Sequence, residues 1–254
     1  MTNTGKPVKS RRIGLARVLS KLGYCSRARA FELIRADEVR VNGKVERNPE
    51  RPTDPARDRV EVAHIAIRAA RFLYYVVNKP RGLITTASDE KGRETIYSLL
   101  PPDSPWVAPV GRLDKASEGL LLLTNDSEWA AKITDPNSHL DKTYHVQVST
   151  LPSEQMVEAL SRGIRSDGEL LLAKRVSILR AGGKNGWLEI VLEEGKNRQI
   201  RRMVAALQIE VLRLIRVAIG PLTLGELPKG GCRALTAEEK AELDDALRLV
   251  RGEH

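Results

Sequence analysis

The sequence has little cysteine and no long apolar run, and both absences narrow the class of protein. Cys25 and Cys232 are too few and too far apart to form a disulfide framework, and no paired Cys/His spacing indicates a zinc site. The most apolar stretch, residues 65–77, is interrupted by Arg68 and Arg71, and a membrane helix needs roughly 20 apolar residues. The polar, basic start lacks the apolar segment of a secretory signal, so we expect a protein of the reducing cytoplasm.

The sequence also lacks histidines at the spacing of metal ligands, internal repeats and low-complexity segments. The four histidines are scattered, which favours core or surface positions over metal binding for His64, His139, His145 and His254. With 254 residues and 41% apolar content, the chain can bury one sizeable core and carry a second, smaller domain.

Positive charge is concentrated near the N-terminus. The formal net charge is +9, and residues 1–62 contain 15 Lys and Arg against 8 Asp and Glu. This asymmetry favours a polyanionic partner, because opposite charges attract over the whole surface. Nucleic acid is favoured over a membrane, since no basic amphipathic helix with a bulky apolar face accompanies the charge. A simple solvated face is the alternative explanation for such a run of charge.

The first 62 residues predict two short helices and a hairpin. The first helix ends at Gly23 and has an apolar stripe formed by Leu15, Val18, Leu19 and Leu22. Ser26 is the expected N-cap of the second helix, and Asn42-Gly43 is typical of a tight hairpin turn. These elements would present basic side chains suited to phosphates, namely Arg12, Lys21, Arg27, Arg29, Arg35, Arg40 and Lys44.

Two segments of this region carry a resemblance to a known module. Ser26-Arg27-Ala28-Arg29-Ala30 and Val39-Arg40-Val41-Asn42-Gly43-Lys44 resemble the alpha-L RNA-binding module first seen in a small-subunit ribosomal protein. The resemblance covers about residues 12–62. It implies structured RNA as a partner without indicating a reaction.

The rest of the chain predicts a mixture of strands and helices. A buried strand is expected from Phe72 to Val77, and a second one at the four leucines 120–123. Further strands are predicted at 143–149, 187–192 and 211–219, and helices at 127–134, 153–160, 197–207 and 237–250. Because no regular beta-alpha repeat is present, we predict an α+β fold with a largely antiparallel sheet.

Candidate chemistry lies in three separated segments. Gly111-Arg112-Leu113-Asp114 precedes the leucine strand, and the loop would hold the carboxylate of Asp114 at the strand edge. Alone, Arg112 and Asp114 would usually form a surface ion pair. However, residues 142–144 add a cation and an aromatic ring on a strand, and residues 194–203 open a basic helix. A carboxylate, an aromatic ring and cations could therefore converge.

This ordered set of motifs resembles the bacterial ribosomal RNA pseudouridine synthases of the RsuA and RluB type. The motifs are Asn78-Lys79-Pro80-x-Gly82, the Gly111–Asp114 loop with its leucine strand, Lys142-x-Tyr144, and Asn197-Arg198-Gln199-Ile200-Arg201-Arg202. The resemblance runs from about Arg12 to Glu239. It implies an isomerase that replaces the nitrogen–carbon glycosidic bond of a uridine in RNA with a carbon–carbon bond, without a metal or an organic cofactor.

The resemblance also implies residue roles. Asp114 corresponds to the essential carboxylate, Arg201 to the basic residue paired with it, and Tyr144 to the aromatic residue stacked on the target base. Arg112 would fill the gap left by a flipped-out base or hold a phosphate. Further RNA contacts are expected at Lys79, Lys142, Arg198 and Arg202.

Several alternatives remain open at this point. Arg202 could pair with Asp114 instead of Arg201, since adjacent helical residues diverge by about 100 degrees. Tyr144 could be an ordinary strand aromatic, and Lys79 could be solvated. The sequence does not decide whether Asp114 attacks the sugar or removes a sugar proton.

The sequence thus predicts a two-domain enzyme that acts on ribosomal RNA or a ribosomal subunit assembly intermediate. We expect a disordered tail at 1–10, the RNA-binding domain at 11–62, a linker at 63–71, the catalytic domain at 72–240 and a C-terminal helical tail at 241–254. The N-terminal module combined with the form of the last motif resembles the RluB branch, which implies large-subunit (23S) RNA, with small-subunit (16S) RNA as the close alternative. The other hypotheses are a non-catalytic assembly factor and an RNA base hydrolase that releases uracil.

Overall fold

The computed structural model describes residues 12–68, 71–86 and 92–251, so the tail predicted at 1–10 lies outside the described residues. The chain forms two compact units. The first contains the described residues through Leu73 together with Pro102–Ala108 and Asn125–Ser127, and the second contains the remainder. The RNA-binding domain expected at 11–62 is one continuous stretch and does not include these two later segments. None of the described helices is long and apolar enough to cross a membrane.

The first unit has the predicted order of two helices followed by a hairpin. Its elements are β1 (Ile13–Gly14), α1 (Leu15–Lys21), α2 (Arg27–Arg35), β2 (Val39–Val41), β3 (Lys44–Val45), β4 (Pro52–Thr53), β5 (Val60–Val62) and β6 (Ile65–Ala66). The side chain of Ser26 accepts a hydrogen bond from the backbone N–H of Arg29, which confirms the predicted N-cap. Asn42 and Gly43 both have positive φ, as a two-residue hairpin turn requires.

The second unit is built on a nine-stranded sheet. Its strands, with the short hairpin β11–β12, are β7 (Tyr74–Lys79), β8 (Ala108–Val110), β9 (Glu118–Thr124), β10 (Lys142–Val148), β11 (Ile164–Ser166), β12 (Glu169–Leu171), β13 (Arg175–Ala181), β14 (Gly186–Leu192), β15 (Val211–Ile219), β16 (Leu222–Thr223) and β17 (Cys232–Ala234). The helices are α3 (Ser127–Thr134), α4 (Glu154–Arg162), α5 (Gln199–Ala206) and α6 (Ala237–Arg251), with 3-10 turns at Ile96–Leu99 and Pro136–Ser138.

The strand order in the large sheet is β13-β14-β10-β15-β9-β7-β17, with β16 beside β15 and β8 beside β9. Strands β9 and β15 run parallel, and the other neighbouring pairs in that order run antiparallel. The predicted α+β class with a largely antiparallel sheet is therefore confirmed. The parallel pair matters for the site, because it sets the start of β9, and with it the preceding loop, beside Ile215 and Arg216 in the middle of β15.

Strand β9 is the most buried strand of the chain's second unit. All seven of its residues are buried, as the run of four leucines predicts. Leu120 and Leu122 belong to a core cluster with Trp129 of α3 and Leu243 of α6. Burying one leucine side chain contributes about 1.5–3 kcal/mol, so this strand is a rigid base for the loop that precedes it.

Four expectations are corrected by the structure. Phe72 is 57% exposed and lies before β7, which extends to Lys79 because Pro80 ends the ladder. The segment 63–71 contributes β6, which pairs with β5. The helix at 237–251 is not a tail, since its Leu243 is fully buried. Helix α5 begins at Gln199 rather than at residue 197.

Candidate active site

A cleft of about 470 Å³ in the second unit brings the predicted segments together. Asp114 and Arg112 reach it from the loop before β9, Tyr144 from β10, and Arg198 from the residues that lead into α5. The remaining lining includes residues 192–196 and Leu214, Arg216 and Ile219 of β15. Arg201 is not among the residues that line the cleft, although its Nε lies 4.0 Å from the carboxylate of Asp114.

The loop that carries Asp114 is held by hydrogen bonds from two other segments. The hydroxyl of Thr85 donates to the carbonyl oxygen of Leu113 (2.8 Å) and accepts from its N–H (3.3 Å). The N–H of Gly82 donates to the carbonyl oxygen of Lys115 (2.8 Å). Gly111 has φ +74°, which favours glycine at the start of the loop. The carboxylate is therefore presented on a fixed backbone.

Lys79 is the third anchor of this loop. Its Nζ donates to the carbonyl oxygens of Pro80 (3.1 Å), Asp114 (3.1 Å) and Ser117 (2.8 Å), and the residue is fully buried. The prediction of Lys79 as an RNA contact is corrected, because all three ammonium donors are used inside the protein. Burial lowers the pKa of Lys79 to about 8, and the nearby carboxylates of Asp114 and Glu118 act in the opposite direction.

Two arginines approach the carboxylate of Asp114, whose side chain is 38% exposed. Arg198 Nη1 lies 3.3 Å from Oδ2, and Arg201 Nε lies 4.0 Å from the same oxygen. Arg201 is the more buried of the two, with 14% of its side chain exposed against 53% for Arg198. The predicted Asp114–Arg201 pair is thus present at a longer distance, and the sequence did not indicate that Arg198 is nearer.

The position of Arg198 follows from its backbone. It has φ +48° and ψ +33°, the left-handed conformation, immediately before α5. A non-glycine residue in this region stores strain, which occurs often at functional sites. This turn directs Arg198 toward Asp114 rather than onto the helix surface that the sequence predicted for it.

Arg201 is anchored to two backbone carbonyls. Its Nη2 donates to the oxygen of Ala116 (3.1 Å) and its Nη1 to that of Val211 (3.4 Å). Burial is the largest influence lowering the pKa of Arg201, Arg198 and Arg81 act in the same direction, and Asp114 opposes them. The Nε atom is buried without a hydrogen-bond acceptor among the described residues and faces Asp114.

Arg202 has a structural role in this state of the protein. It forms ion pairs with Glu169 (3.0 Å) and Asp167 (3.2 Å), and its Nη2 donates to the carbonyl oxygen of Ser166 (2.7 Å). These partners belong to the β11–β12 hairpin, which packs on α5. The alternative pairing of Arg202 with Asp114 is therefore wrong, and the RNA contact at Arg202 stays a prediction.

Tyr144 and Lys142 lie on β10 and line the cleft. Tyr144 is partly buried and packs against the core cluster around α5. The Nζ of Lys142 donates to the carbonyl oxygen of Glu193 (3.0 Å), and burial followed by the charge of Arg216 lowers the pKa of Lys142. Arg112 is exposed at the cleft. The structure thus brings Arg112, Asp114, Tyr144, Lys142 and Arg198 into one cleft.

Gln199 and Arg216 were not singled out from the sequence as site residues. Gln199 is 3% exposed, donates to the carbonyl oxygen of Leu172 (2.8 Å), and accepts from the N–H of Lys196 (3.1 Å). It fixes the backbone turn that leads into Arg198. Arg216 is buried on β15 in the cleft. Arg216 enters the cleft through the pairing of β15 with its neighbours, and the role of Gln199 depends on its contacts with Leu172 and Lys196.

The predicted phosphate contacts of the first unit lie mainly at the surface. Arg12, Arg27, Arg29, Arg35 and Lys44 are exposed, and Lys21 and Arg40 are half-buried. Arg29 forms an ion pair with Glu32, and Arg40 donates to the carbonyl oxygen of Gly43. In the described part of the chain, no group of three or more His, Cys, Asp or Glu side chains is arranged to hold a metal ion.

Comparison with known proteins agrees with this arrangement. Residues 73–206, more than half of the chain, match the family model described as RNA pseudouridylate synthase, and residues 13–56 match the S4 domain. The chain belongs to the RNA pseudouridine synthase family. It is of the RsuA/RluB type, an intramolecular isomerase with an N-terminal S4 domain that binds RNA.

Individual relatives match along most of their length. The Bacillus subtilis "Ribosomal large subunit pseudouridine synthase B" is 36% identical over 231 residues, covering 90% of this chain and 94% of the relative. The Yersinia pestis protein of the same description is 33% identical over 245 residues, covering 92% and 76%. A solved pseudouridylate synthase structure superposes with a TM-score of 0.65 at 29% identity, covering 91% of this chain and 99% of the other.

Proposed function

We propose that this pseudouridine synthase modifies one uridine of 23S ribosomal RNA, and that its S4 domain docks the RNA. The supporting observation is the end-to-end likeness to relatives described as large-subunit enzymes. The exposed arginines of the first unit support docking to phosphates. The substrate is free ribosomal RNA or a partly assembled subunit in the cytoplasm, where ribosomal RNA is made.

The cleft supports a mechanism centred on one carboxylate. The C1′–N1 bond of the flipped uridine breaks and its electron pair stays on uracil. Asp114 then either attacks C1′ or removes the C2′ proton, and both roles require an ionised carboxylate. The guanidinium groups of Arg198 and Arg201 lie 3.3 Å and 4.0 Å from this carboxylate. The detached base turns and C5 bonds to C1′, while the Asp114–C1′ bond breaks in the first case or Asp114 returns the proton to C2′ in the second. The C5 proton then leaves and N1 gains a proton.

Tyr144 and Arg112 hold the substrate in this proposal. The ring of Tyr144 stacks on the target base, which contributes about 1–3 kcal/mol per base. Arg112 is exposed beside Asp114, where a long cation can fill the gap left by base flipping or hold a phosphate. Ordinary glycosidases use two carboxylates, one of which protonates the leaving group. Uracil spreads its negative charge over two carbonyl groups, so one carboxylate suffices.

The rival functions make different predictions. If the enzyme is specific for 16S RNA, small-subunit RNA from cells that lack it would lose one pseudouridine. A base hydrolase would release free uracil, whereas an isomerase keeps the base in the chain. A non-catalytic assembly factor would act equally well with Asp114→Asn.

The proposal is tested by mapping pseudouridine in 23S and 16S RNA from cells that lack this protein. We expect one 23S site to disappear, to return with the native chain, and to stay absent with Asp114→Ala. Loss of a 16S site would reassign the substrate. Persistence of all sites would reject ribosomal RNA as the target.

A further inference from the structure

The cleft contains a buried guanidinium that the mechanism above does not use. Arg216 of β15 is 6% exposed, and its Nε donates to the carbonyl oxygen of Leu120 at 2.7 Å. Its Nη2 is buried without a hydrogen-bond acceptor among the described residues. Within the described part of the chain, Arg216 also forms no ion pair with a carboxylate. A buried cation without a counter-charge is costly, so its retention in a cleft indicates a ligand.

The backbone fixes this guanidinium beside the Asp114 loop. In the parallel β9–β15 pair, Arg216 lies opposite Gly119, five residues after Asp114. Gly119 has φ +101°, and a Cβ atom there would lie 2.2 Å from the carbonyl oxygen of Arg216. The close approach therefore requires glycine at 119. This contact fixes the backbone of Arg216, and the hydrogen bond to Leu120 holds its side chain.

Arg216 also shares a sheet face with the residue that would stack on the base. Across the antiparallel β10–β15 pair, Arg216 lies opposite Tyr144, and both line the cleft. Side chains opposite each other across such a pair point to the same face, with Cβ atoms about 4.5–5.5 Å apart. A ring stacked on Tyr144 therefore has its edge within reach of Arg216.

The burial of Arg216 selects which part of the RNA it can meet. Phosphates are bulky and remain near solvent, where Arg112 and Arg198 are exposed. A side chain that is more than nine-tenths buried can meet only the group that enters deepest, which is the flipped base. Arginine has donors and no acceptor, and the acceptors on the edge of uracil are its carbonyl oxygens O2 and O4.

We propose that Arg216 donates a hydrogen bond to a carbonyl oxygen of the target uracil and stabilises the negative charge of the detached base. When the C1′–N1 bond breaks, the electron pair left on N1 delocalises onto O2 and O4. A fixed, buried donor at either oxygen stabilises that charge more than it stabilises the neutral uridine. The proposal rests on the isomerase activity and adds a residue that contacts the reacting base.

The test is a double-mutant cycle between Arg216 and the base. The RNA is a ribosomal fragment that the native chain modifies, made with uridine, 2-thiouridine or 4-thiouridine at the target position. Native chain, Arg216→Met and Arg216→Lys are compared by single-turnover rate and by RNA dissociation constant. The control is Arg233→Met. Arg233 lies on β17 outside the cleft lining and is paired with Glu239.

We expect Arg216→Met to slow bond cleavage about 100-fold with RNA affinity unchanged, and Arg233→Met to match the native rate. Sulfur is a weaker hydrogen-bond acceptor than oxygen. The native chain should therefore react more slowly with one of the two thio substrates than with uridine, whereas Arg216→Met should react with that substrate and with uridine at the same rate. Modification of the uridine fragment by the native chain tests the proposed function separately.

Two results would overturn the role. If Arg216→Met lost the same factor in rate on all three substrates, Arg216 would be assigned to packing. If Arg216→Met bound RNA more weakly at an unchanged rate, Arg216 would be assigned to a contact with the RNA backbone. Thermal unfolding checks that Arg216→Met is folded. If it is not, Arg216→Lys answers in the same cycle, because lysine keeps the charge and loses the geometry of the guanidinium.

Discussion

The ammonium nitrogen of Lys79 lies 3.1 Å from the backbone carbonyl oxygen of Asp114, so a buried cation holds the residue that we propose as the catalytic carboxylate. The same nitrogen reaches the carbonyl oxygen of Ser117 at the far end of the turn. The Asp114 carboxylate therefore lines the cleft from a turn whose first and last residues are both hydrogen-bonded to Lys79.

Replacing Lys79 with methionine should impair both stability and catalysis. Methionine fills the volume but leaves three carbonyl oxygens without their donor, which costs about 1–3 kcal/mol for each buried group that stays unsatisfied. Urea denaturation should show the loss of stability, and single-turnover kinetics on the RNA should show a slower rate. RNA affinity should stay near native, because Lys79 is fully buried. Weaker affinity with an unchanged rate would restore Lys79 as an RNA contact.

The pH dependence of stability should carry the signature of Lys79. Its pKa is lowered from 10.5 to about 8 in the folded protein, mainly by burial. Between these two values the unfolded chain binds the extra proton, so folding becomes more favourable as pH rises. The free energy of unfolding of the native chain, relative to that of Lys79→Met, should rise by about 3 kcal/mol across this window.

Below pH 8 the difference in stability between the two proteins should be constant, because Lys79 is protonated in both states there. Urea titrations at pH 7, 8, 9 and 10 measure it. A difference that stays flat up to pH 10 would mean that the three carbonyl oxygens keep the ammonium charged.

The two arginines near Asp114 should contribute unequally to the rate. Arg201 is largely buried and Arg198 is half exposed, and a charge interaction strengthens as water is excluded. We expect Arg201→Gln to reduce the single-turnover rate about 100-fold or more and Arg198→Gln about 10-fold. Arg175→Gln, an exposed arginine on the edge strand β13, serves as the control. The reverse order would identify Arg198 as the main partner of the carboxylate.

Local sequence signals predicted the parts of the fold that depend on local chemistry. The leucine run predicted the buried β9, and Ser26 predicted a helix N-cap, since hydrophobic burial and capping need only neighbouring residues. The loop holding Asp114 was predicted as a candidate site because it places a carboxylate at the edge of a buried strand and two other segments supply an aromatic ring and cations.

The remaining features arise from distant segments. Lys79 becomes buried only when the turn at 114–117 folds over it, and Arg216 enters the cleft only when β15 pairs with β9 and β10. Arg198 was predicted on a helix surface, but it lies before the helix with a left-handed backbone. That conformation belongs to the turn that Gln199 stabilises. Such features depend on tertiary packing, which overrides local preference.

The first unit should supply a salt-sensitive part of RNA binding. Arg27 and Arg35 on α2 are exposed and have no carboxylate partner in the described part of the chain. Each phosphate contact that is lost should reduce the slope of log affinity against log salt by about 0.7–0.9. The double variant Arg27→Gln/Arg35→Gln should therefore bind ribosomal RNA more weakly at low salt and with a shallower slope.

Point variants test this surface more cleanly than deletion of residues 1–62. The first unit includes Pro102–Ala108, and the N–H of Trp106 donates to the carbonyl oxygen of Gly23, so deletion would expose chain that is normally packed. Arg47→Gln is a matched control in the same unit, because Arg47 is already paired with Asp37. If the double variant and the control give the native slope, α2 does not contact phosphates and docking must use another face of the S4 domain.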